Sequence, residues 1–231
     1  MLNVSAVDVA YGPVPVLHGL SFGARRGEIL CLMGRNGAGK TTAMKAIMGL
    51  LPLTAGRIDW DGVVISDLPA HAVPGRGIGY VPQGRRLFGD LTVAENLAIG
   101  LSARRSPPSV REAALDLFPA LRDRLAQRSE TLSGGEQSML AIARALCVDP
   151  GLMLLDEPTE GLQPSMVAAI RDVLLRLRGE GRAVVLVEQR IDAVLGLADR
   201  VAIVERGSIV ETADAATLHA DPAILRARLG V

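Results

Sequence analysis

Neither sign of charge is in excess in this sequence: 25 basic residues meet 25 acidic ones, and the formal net charge is zero. That balance argues against the broad basic surface of a dedicated nucleic-acid binder. Long hydrophobic runs are missing too. Although 49% of the residues are apolar, no stretch approaches the roughly 20 apolar residues that cross a bilayer as a helix. Residues 1–8 carry neither a basic segment nor a long apolar one, so no signal peptide is expected. Cysteine is nearly absent. Cys31 and Cys147 sit in separate apolar segments without metal or redox spacing, which predicts buried thiols in a reducing compartment. His18, His71 and His219 are too far apart for a metal-ligand pattern and are expected at ordinary surface or turn positions. Repeats, low-complexity tracts and disordered tails are likewise not seen. Scarcest of the basic residues is lysine: of 25, only Lys40 and Lys45 are lysine.

One of those two lysines stands in the stretch around which the chain is organised, Gly34-Arg35-Asn36-Gly37-Ala38-Gly39-Lys40-Thr41-Thr42. An apolar run at 28–33 precedes it and reads as a buried strand; the residues from 43 to 49 read as a helix. Strand, glycine-rich loop and helix form the context that the phosphate-loop pattern GxxxxGK[ST] requires. Gly34, Gly37 and Gly39 let successive N–H groups turn inward on an anion. The helix start adds unpaired donors and the positive end of its dipole. Lys40 is then expected to reach the β- and γ-phosphates of a nucleotide, and the Thr41 hydroxyl to hold Mg²⁺. A compact, flexible ammonium suits that task in a chain otherwise given to arginine.

Taken in order, residues 2–10 alternate in polarity as a half-buried strand does, and 16–22 resume an extended pattern after a turn at Tyr11. Segments 57–60 and 63–65, joined at Asp61-Gly62, give the strongest hairpin signal in the chain. The early section is therefore expected to be antiparallel, wrapped around a parallel-type core strand, with another short strand at 78–81. From about 85 to 150 the pattern is helical. Capping boxes at Thr92/Glu95 and Ser133/Glu136 open two of the helices. Arg85-Arg86 and Arg104-Arg105 are expected on a solvated face of this region or against a partner. Beyond 150, strands at 151–155, 183–187 and 201–204 alternate with helices at 164–178 and 190–198, which implies right-handed βαβ units and a parallel sheet. A short pair, 201–204 and 208–211, and helices begun near Ala213 and at Asp221 close the chain.

Two further constellations carry chemistry. Leu152 to Leu155 lead an apolar strand into two carboxylates, Asp156 and Glu157. Neighbouring strand residues point to opposite faces, but at a strand's end the chain can turn both toward one cleft. Asp156 is expected to coordinate Mg²⁺, and Glu157 to polarise the water that attacks the γ-phosphate. Leu132-Ser133-Gly134-Gly135-Glu136-Gln137 opens another helix with two glycines and a hydroxyl, a second anion cradle. One nucleotide in one chain has no need of two.

With these motifs the sequence resembles the ATP-binding cassette family over essentially its whole length. The resemblance implies an α/β fold of the P-loop NTPase type: a mostly parallel core sheet, an antiparallel β subdomain and an inserted α-helical subdomain. The chain is then a single ATPase domain, 1–231, whose nucleotide-binding core comprises 1–84 and 151–231 and whose helical subdomain spans about 85–150. Residues 34–42 match the Walker A loop and Asp156-Glu157 the Walker B pair. Tyr11 matches the aromatic that stacks on adenine, Gln83 the Q-loop glutamine with a part in Mg²⁺ binding, and Ser133, Gly134, Gly135 and Glu136 the signature. Family members dimerise head to tail, each signature capping the ATP on the other's phosphate loop. ATP and Mg²⁺ are thereby implied as ligands. Two positions depart from the family pattern. Gln189 stands where most members have the switch histidine; it is expected in the catalytic set beside Glu157, able to hydrogen-bond a γ-phosphate but not to titrate near neutrality, so catalytic weight falls on Glu157. The D-loop reads Glu160-Gly161-Leu162-Gln163, without the usual aspartate.

Gln189 in its Val187-Glu188-Gln189 setting resembles the short ATPase subunits of branched-chain amino acid importers and their relatives. Gln83 and the run 159–165 look most like the urea-importer branch, since the amino-acid branch more often has Glu at the place of Gln83. The expected partners are a second ATPase subunit (the same chain or another), two membrane permeases and a solute-binding protein outside the membrane, with no nucleic acid. The expected location is the cytoplasmic face of the membrane, peripherally bound. Cassette proteins of translation or DNA repair usually carry two cassettes or a long coiled-coil insertion, and neither is found here.

Overall fold

The computed structural model describes residues 1–220. The core strands are the apolar runs of the sequence. β3 (Ile29–Met33), β7 (Leu152–Asp156) and β8 (Ala183–Val187) are buried at every position, as strands covered on both faces must be. They run parallel to one another and to β6 (Ile78–Val81) and β9 (Arg200–Glu205), and β10 (Ser208–Asp214) joins antiparallel at the edge. The order is β10-β9-β3-β8-β7-β6.

The two-residue period of these strands sorts their side chains onto two cores. On one face Leu30, Leu32, Leu154, Val185 and Val187 pack with α1 (Lys40–Ile47) and the second sheet. On the other, Cys31, Met33, Met153, Leu155 and Leu186 pack with the remaining helices. These are α2 (Val93–Arg104), α3 (Pro108–Leu117), α4 (Gly134–Leu146), α5 (Pro164–Gly179), α6 (Ile191–Leu195) and α7 (Ala215–Ala220). Both thiols are buried, and burial pushes Cys147 up to about 12. Both capping boxes form: Thr92 and Glu95 close the start of α2, Ser133 and Glu136 that of α4.

The antiparallel section is the β subdomain that the family resemblance implies, and differs only from the reading that wraps it around a core strand. β1 (Leu2–Tyr11), β2 (Val14–Ala24), β4 (Ala55–Trp60) and β5 (Val63–Val64) make a four-stranded sheet of their own, in the order β2-β1-β4-β5. They pack against the core sheet across α1 instead of wrapping one strand. Asp61 and Gly62 take φ of 49° and 80°, the pair of positive values a type I′ hairpin needs. α6 is shorter than the 190–198 expected. Gly196 follows it, and Leu197 and Ala198 both turn their N–H onto Val194 O, at 3.0 and 2.8 Å, tightening the last turn. α1 begins at Lys40, inside the phosphate loop and not after it. The helix expected at Asp221 lies outside the described residues, and His219 falls on α7. His18 and His71 are exposed. Among the described residues no helix is long and apolar enough to cross a membrane.

Candidate active site

β3 delivers the chain to the phosphate loop at the C-terminal end of the parallel sheet, where open α/β folds gather their ligand sites. Gly39 is the N-cap of α1 at φ 108°, and no side chain caps the helix. A residue with a Cβ would resist that backbone, and the uncapped N–H donors are left for an anion. Lys40 is 5% exposed. Its Nζ donates to Gly34 O at 2.7 Å and Arg35 O at 3.0 Å. Burial lowers its pKa, against the opposing pull of Glu157 and Asp156.

The second half of the site comes from the ends of β7 and β8. Glu157, the residue after β7, has φ 51°, a left-handed conformation that costs a branched or long side chain energy and is met chiefly where structure demands it. This bend turns Glu157 out of the strand's alternation and into the loop's cavity. Its N–H donates to Val187 O at 3.0 Å, locking it to β8. Two amides occupy its carboxylate. Gln189 Nε2 donates to Oε1 at 2.5 Å and also to Asn36 Oδ1 at 3.0 Å; Gln83 Nε2 donates to Oε2 at 3.1 Å and to Glu160 Oε2 at 3.4 Å. Asn36, Gly37, Ala38, Gly39, Lys40, Thr41, Thr42, Gln83, Glu157 and Gln189 thus share one cavity of about 500 Å³. Beneath it Asp156 is 1% exposed, and neither carboxylate oxygen has a hydrogen-bond partner. Burial pushes this carboxyl above the usual range, with the Thr41 hydroxyl acting against the shift.

A phosphate loop, a buried carboxylate beside it and a second carboxylate held by two glutamines are what the comparisons with known proteins meet. Residues 17–160 match the ABC transporter family. Over its whole length the chain is 41% identical to the whole of the high-affinity branched-chain amino acid transport ATP-binding protein BraG of Pseudomonas aeruginosa. The chain belongs to the ABC transporter family. It is also 37% identical to the lipopolysaccharide export system ATP-binding protein LptB of Haemophilus influenzae, covering 100% of this chain and 97% of that one. Among solved structures, an ATP-binding subunit of an ABC transporter superposes with a TM-score of 0.87 at 26% identity, covering 97% of this chain and 94% of the other. As an ABC cassette the chain hydrolyses ATP, and its fold is that of the P-loop NTPases.

Several cassette residues lie apart from the phosphate-loop cavity. Tyr11 ends β1 and is 43% exposed, outside the cavity lining. Arg35 lines an adjoining cleft with Ile203 and Arg206, which shares Asn36, Gly37 and Ala38 with that cavity. Ser133, Gly134, Gly135 and Glu136 start α4 and do not line the cavity either. Ser133 N–H donates to Glu136 Oε2 at 2.9 Å, and this cap, with Arg124 at 2.6 Å, holds the Glu136 carboxyl below its usual range. Arg85, expected on a solvated face, is instead half-buried: its Nε donates to Ser138 Oγ at 2.9 Å and its Nη1 to Gln137 Oε1 at 3.3 Å. Gln83 on Glu157 and Arg85 on α4 thus tie one short loop to both constellations. Sequence reading met Glu160 and Glu188 within motifs but gave neither a role at the site. For Glu188 a signal exists, an acidic residue directly after the five apolar residues of β8.

Proposed function

We propose that this cassette powers the uptake of branched-chain amino acids as a peripheral subunit on the cytoplasmic face of the membrane. The observation that carries this is the 41% identity to the branched-chain amino acid transport relative across the full length of both chains. Its partners in this reading are a second ATPase subunit, two permeases and an external solute-binding protein. The helical region 85–150 meets the permeases and is linked to the catalytic cleft through Gln83. Residues 1–84 and 151–231 form the nucleotide-binding core.

In this reading the N–H groups opening α1 receive the triphosphate. Lys40 leaves the carbonyls of Gly34 and Arg35 for the β- and γ-phosphate oxygens. Asp156 suits Mg²⁺: two buried, unpartnered oxygens beside Thr41 are the expensive arrangement that a cation relieves. Among the described residues no cluster of three acidic, histidine or cysteine side chains could hold a metal alone. A few protein ligands with phosphates and water completing the shell is how Mg²⁺ is usually held, and Thr41, Asp156 and Gln83 would supply them. When bound, the ion neutralises phosphate charge. Glu157 accepts a proton from the attacking water once its oxygens are freed from Gln83 and Gln189. Tyr11 would stack on the adenine. Ser133, Gly134, Gly135 and Glu136 would cap the partner's ATP.

Gln83 and the run 159–165 favour urea as a second solute. Uptake of labelled leucine and labelled urea, at low external concentration in the source cell with this gene deleted, separates the two. Loss of leucine uptake alone is expected. Loss of urea uptake alone would favour the urea branch. If both persist, the export relative becomes the better guide.

A further inference from the structure

The network around Glu157 leaves one buried carboxylate unused. Glu188 is 5% exposed and follows the fully buried β8. A carboxylate is tolerated there only if its oxygens are met by donors, and the donors it has are informative. Oε1 accepts from the hydroxyl of Thr159, two residues beyond Glu157. Oε2 accepts from the backbone N–H of Gln189 at 2.9 Å, and more distantly from that of Arg190 at 3.5 Å. Gln189 in turn holds Glu157 through its side-chain amide. The contacts close a ring: Glu157 to Gln189 by side chain, Gln189 to Glu188 by backbone, Glu188 to Thr159 by side chain, and Thr159 back to Glu157 through Pro158. Glu157 N–H on Val187 O braces it from below.

We propose that Glu188 is a positioning residue for ATP hydrolysis, fastening the turn after β7 to the loop after β8 so that Gln189 is presented to Glu157 and the γ-phosphate. The two segments then move as one body. Glu188 touches neither nucleotide nor attacking water; it acts through Gln189 and Thr159. This rests on Glu157 as the activating carboxylate.

Single-turnover ATP hydrolysis by the full chain, with nucleotide affinity measured separately, tests it. Glu188→Met keeps length and burial but removes both acceptors. Its hydrolysis rate is expected to fall about 10–100-fold, the scale of an ångström-sized misplacement, with affinity within about twofold. Glu188→Gln can accept both N–H groups and donate to the Thr159 hydroxyl, which serves as donor or acceptor, so it should recover to within about threefold of wild type. Thr159→Val should lower the rate in the same direction, and add less than about twofold on top of Glu188→Met, as members of one unit do. A wild-type rate in Glu188→Met overturns the proposal, as does a Glu188→Gln no better than Glu188→Met, or affinity falling in step with rate. Should Glu188→Met not fold, an unchanged rate in the half-buried Thr159→Val variant overturns it alone. Glu157→Gln run in parallel separates the two readings: if it retains full turnover, the assignment of Glu157 fails, whatever Glu188 does.

Discussion

Lys40 is bonded to carbonyls of its own loop, and in the proposed function these two charge-assisted bonds are exchanged for stronger ones to phosphate. Lys40→Ala removes the partner altogether. Charge-assisted bonds contribute about 1.5–3 kcal/mol each, so a loss of ATP affinity of roughly 100-fold or more is expected in a fluorescent-nucleotide titration. Glu157 and Gln189 divide differently. Glu157→Gln should still bind ATP but lose turnover by about 10²–10⁴-fold, the span of a positioned acid–base group. Gln189→Ala removes an amide that cannot carry a proton, and its loss of turnover should be smaller; the reverse order would move the chemistry to the glutamine. Asp156 makes the opposite kind of prediction. Burial pushes its carboxyl above the usual range, with the Thr41 hydroxyl acting against the shift, so without a cation the charged form is held at a cost that a neutral amide escapes. Asp156→Asn, in the absence of Mg²⁺ and nucleotide at neutral pH, should therefore raise the melting temperature by a few degrees while abolishing hydrolysis.

Among the elements, α2 and α4 approach each other through Gly100. A Cβ there would lie 2.2 Å from Arg144 O and 2.8 Å from the Cys147 side chain, contacts with no room to yield. Glycine-to-alanine inside an exposed helix stabilises by up to about 1 kcal/mol. At this crossing overpacking, typically about 1–3 kcal/mol, reverses the sign, and Gly100→Ala should melt earlier than wild type in a thermal scan. What was legible in the sequence follows the same division between local and distant. The strand-loop-helix at 28–47, the hairpin at Asp61-Gly62 and both capping boxes are set by neighbours within four residues, and they could be read directly. That the antiparallel strands form a separate sheet depends on pairings such as Leu2 with Trp60, which no local pattern encodes. The gathering of Gln83, Glu157, Gln189 and Asn36 needed the motifs to be identified by resemblance, because they come from four separate segments. Arg85 looked like solvated charge because its partners, Ser138 and Gln137, lie some fifty residues on. Glu188 was in view as a letter but not as a link, since its meaning lies in Thr159 across the sheet.

For the whole molecule the decisive geometry is the separation of the two cradles. The phosphate loop and the signature at the start of α4 belong to one chain, yet the signature residues do not line the cavity of Lys40. Ser133 and Gly134 are exposed, with the polar opening turn of α4 facing away from the core. Ser133 and Glu136 cap part of this helix start within the chain, and the exposed remainder of its first turn is suited to an anion brought by another chain. If two copies pair so that each signature covers the other's ATP, trapping the nucleotide should trap the pair. Glu157→Gln, expected to bind ATP with little turnover, should therefore shift from the 24.3 kDa monomer to twice that mass in light scattering on adding Mg²⁺ and ATP. Adding Ser133→Arg, which fills the cradle with a large side chain but leaves Lys40 untouched, should hold the mass at the monomer value while nucleotide still binds. A Glu157→Gln chain that binds ATP and stays monomeric would mean that the second cassette is a different chain. Mixing in candidate partner subunits, with doubling then restored, would identify it by the same measurement.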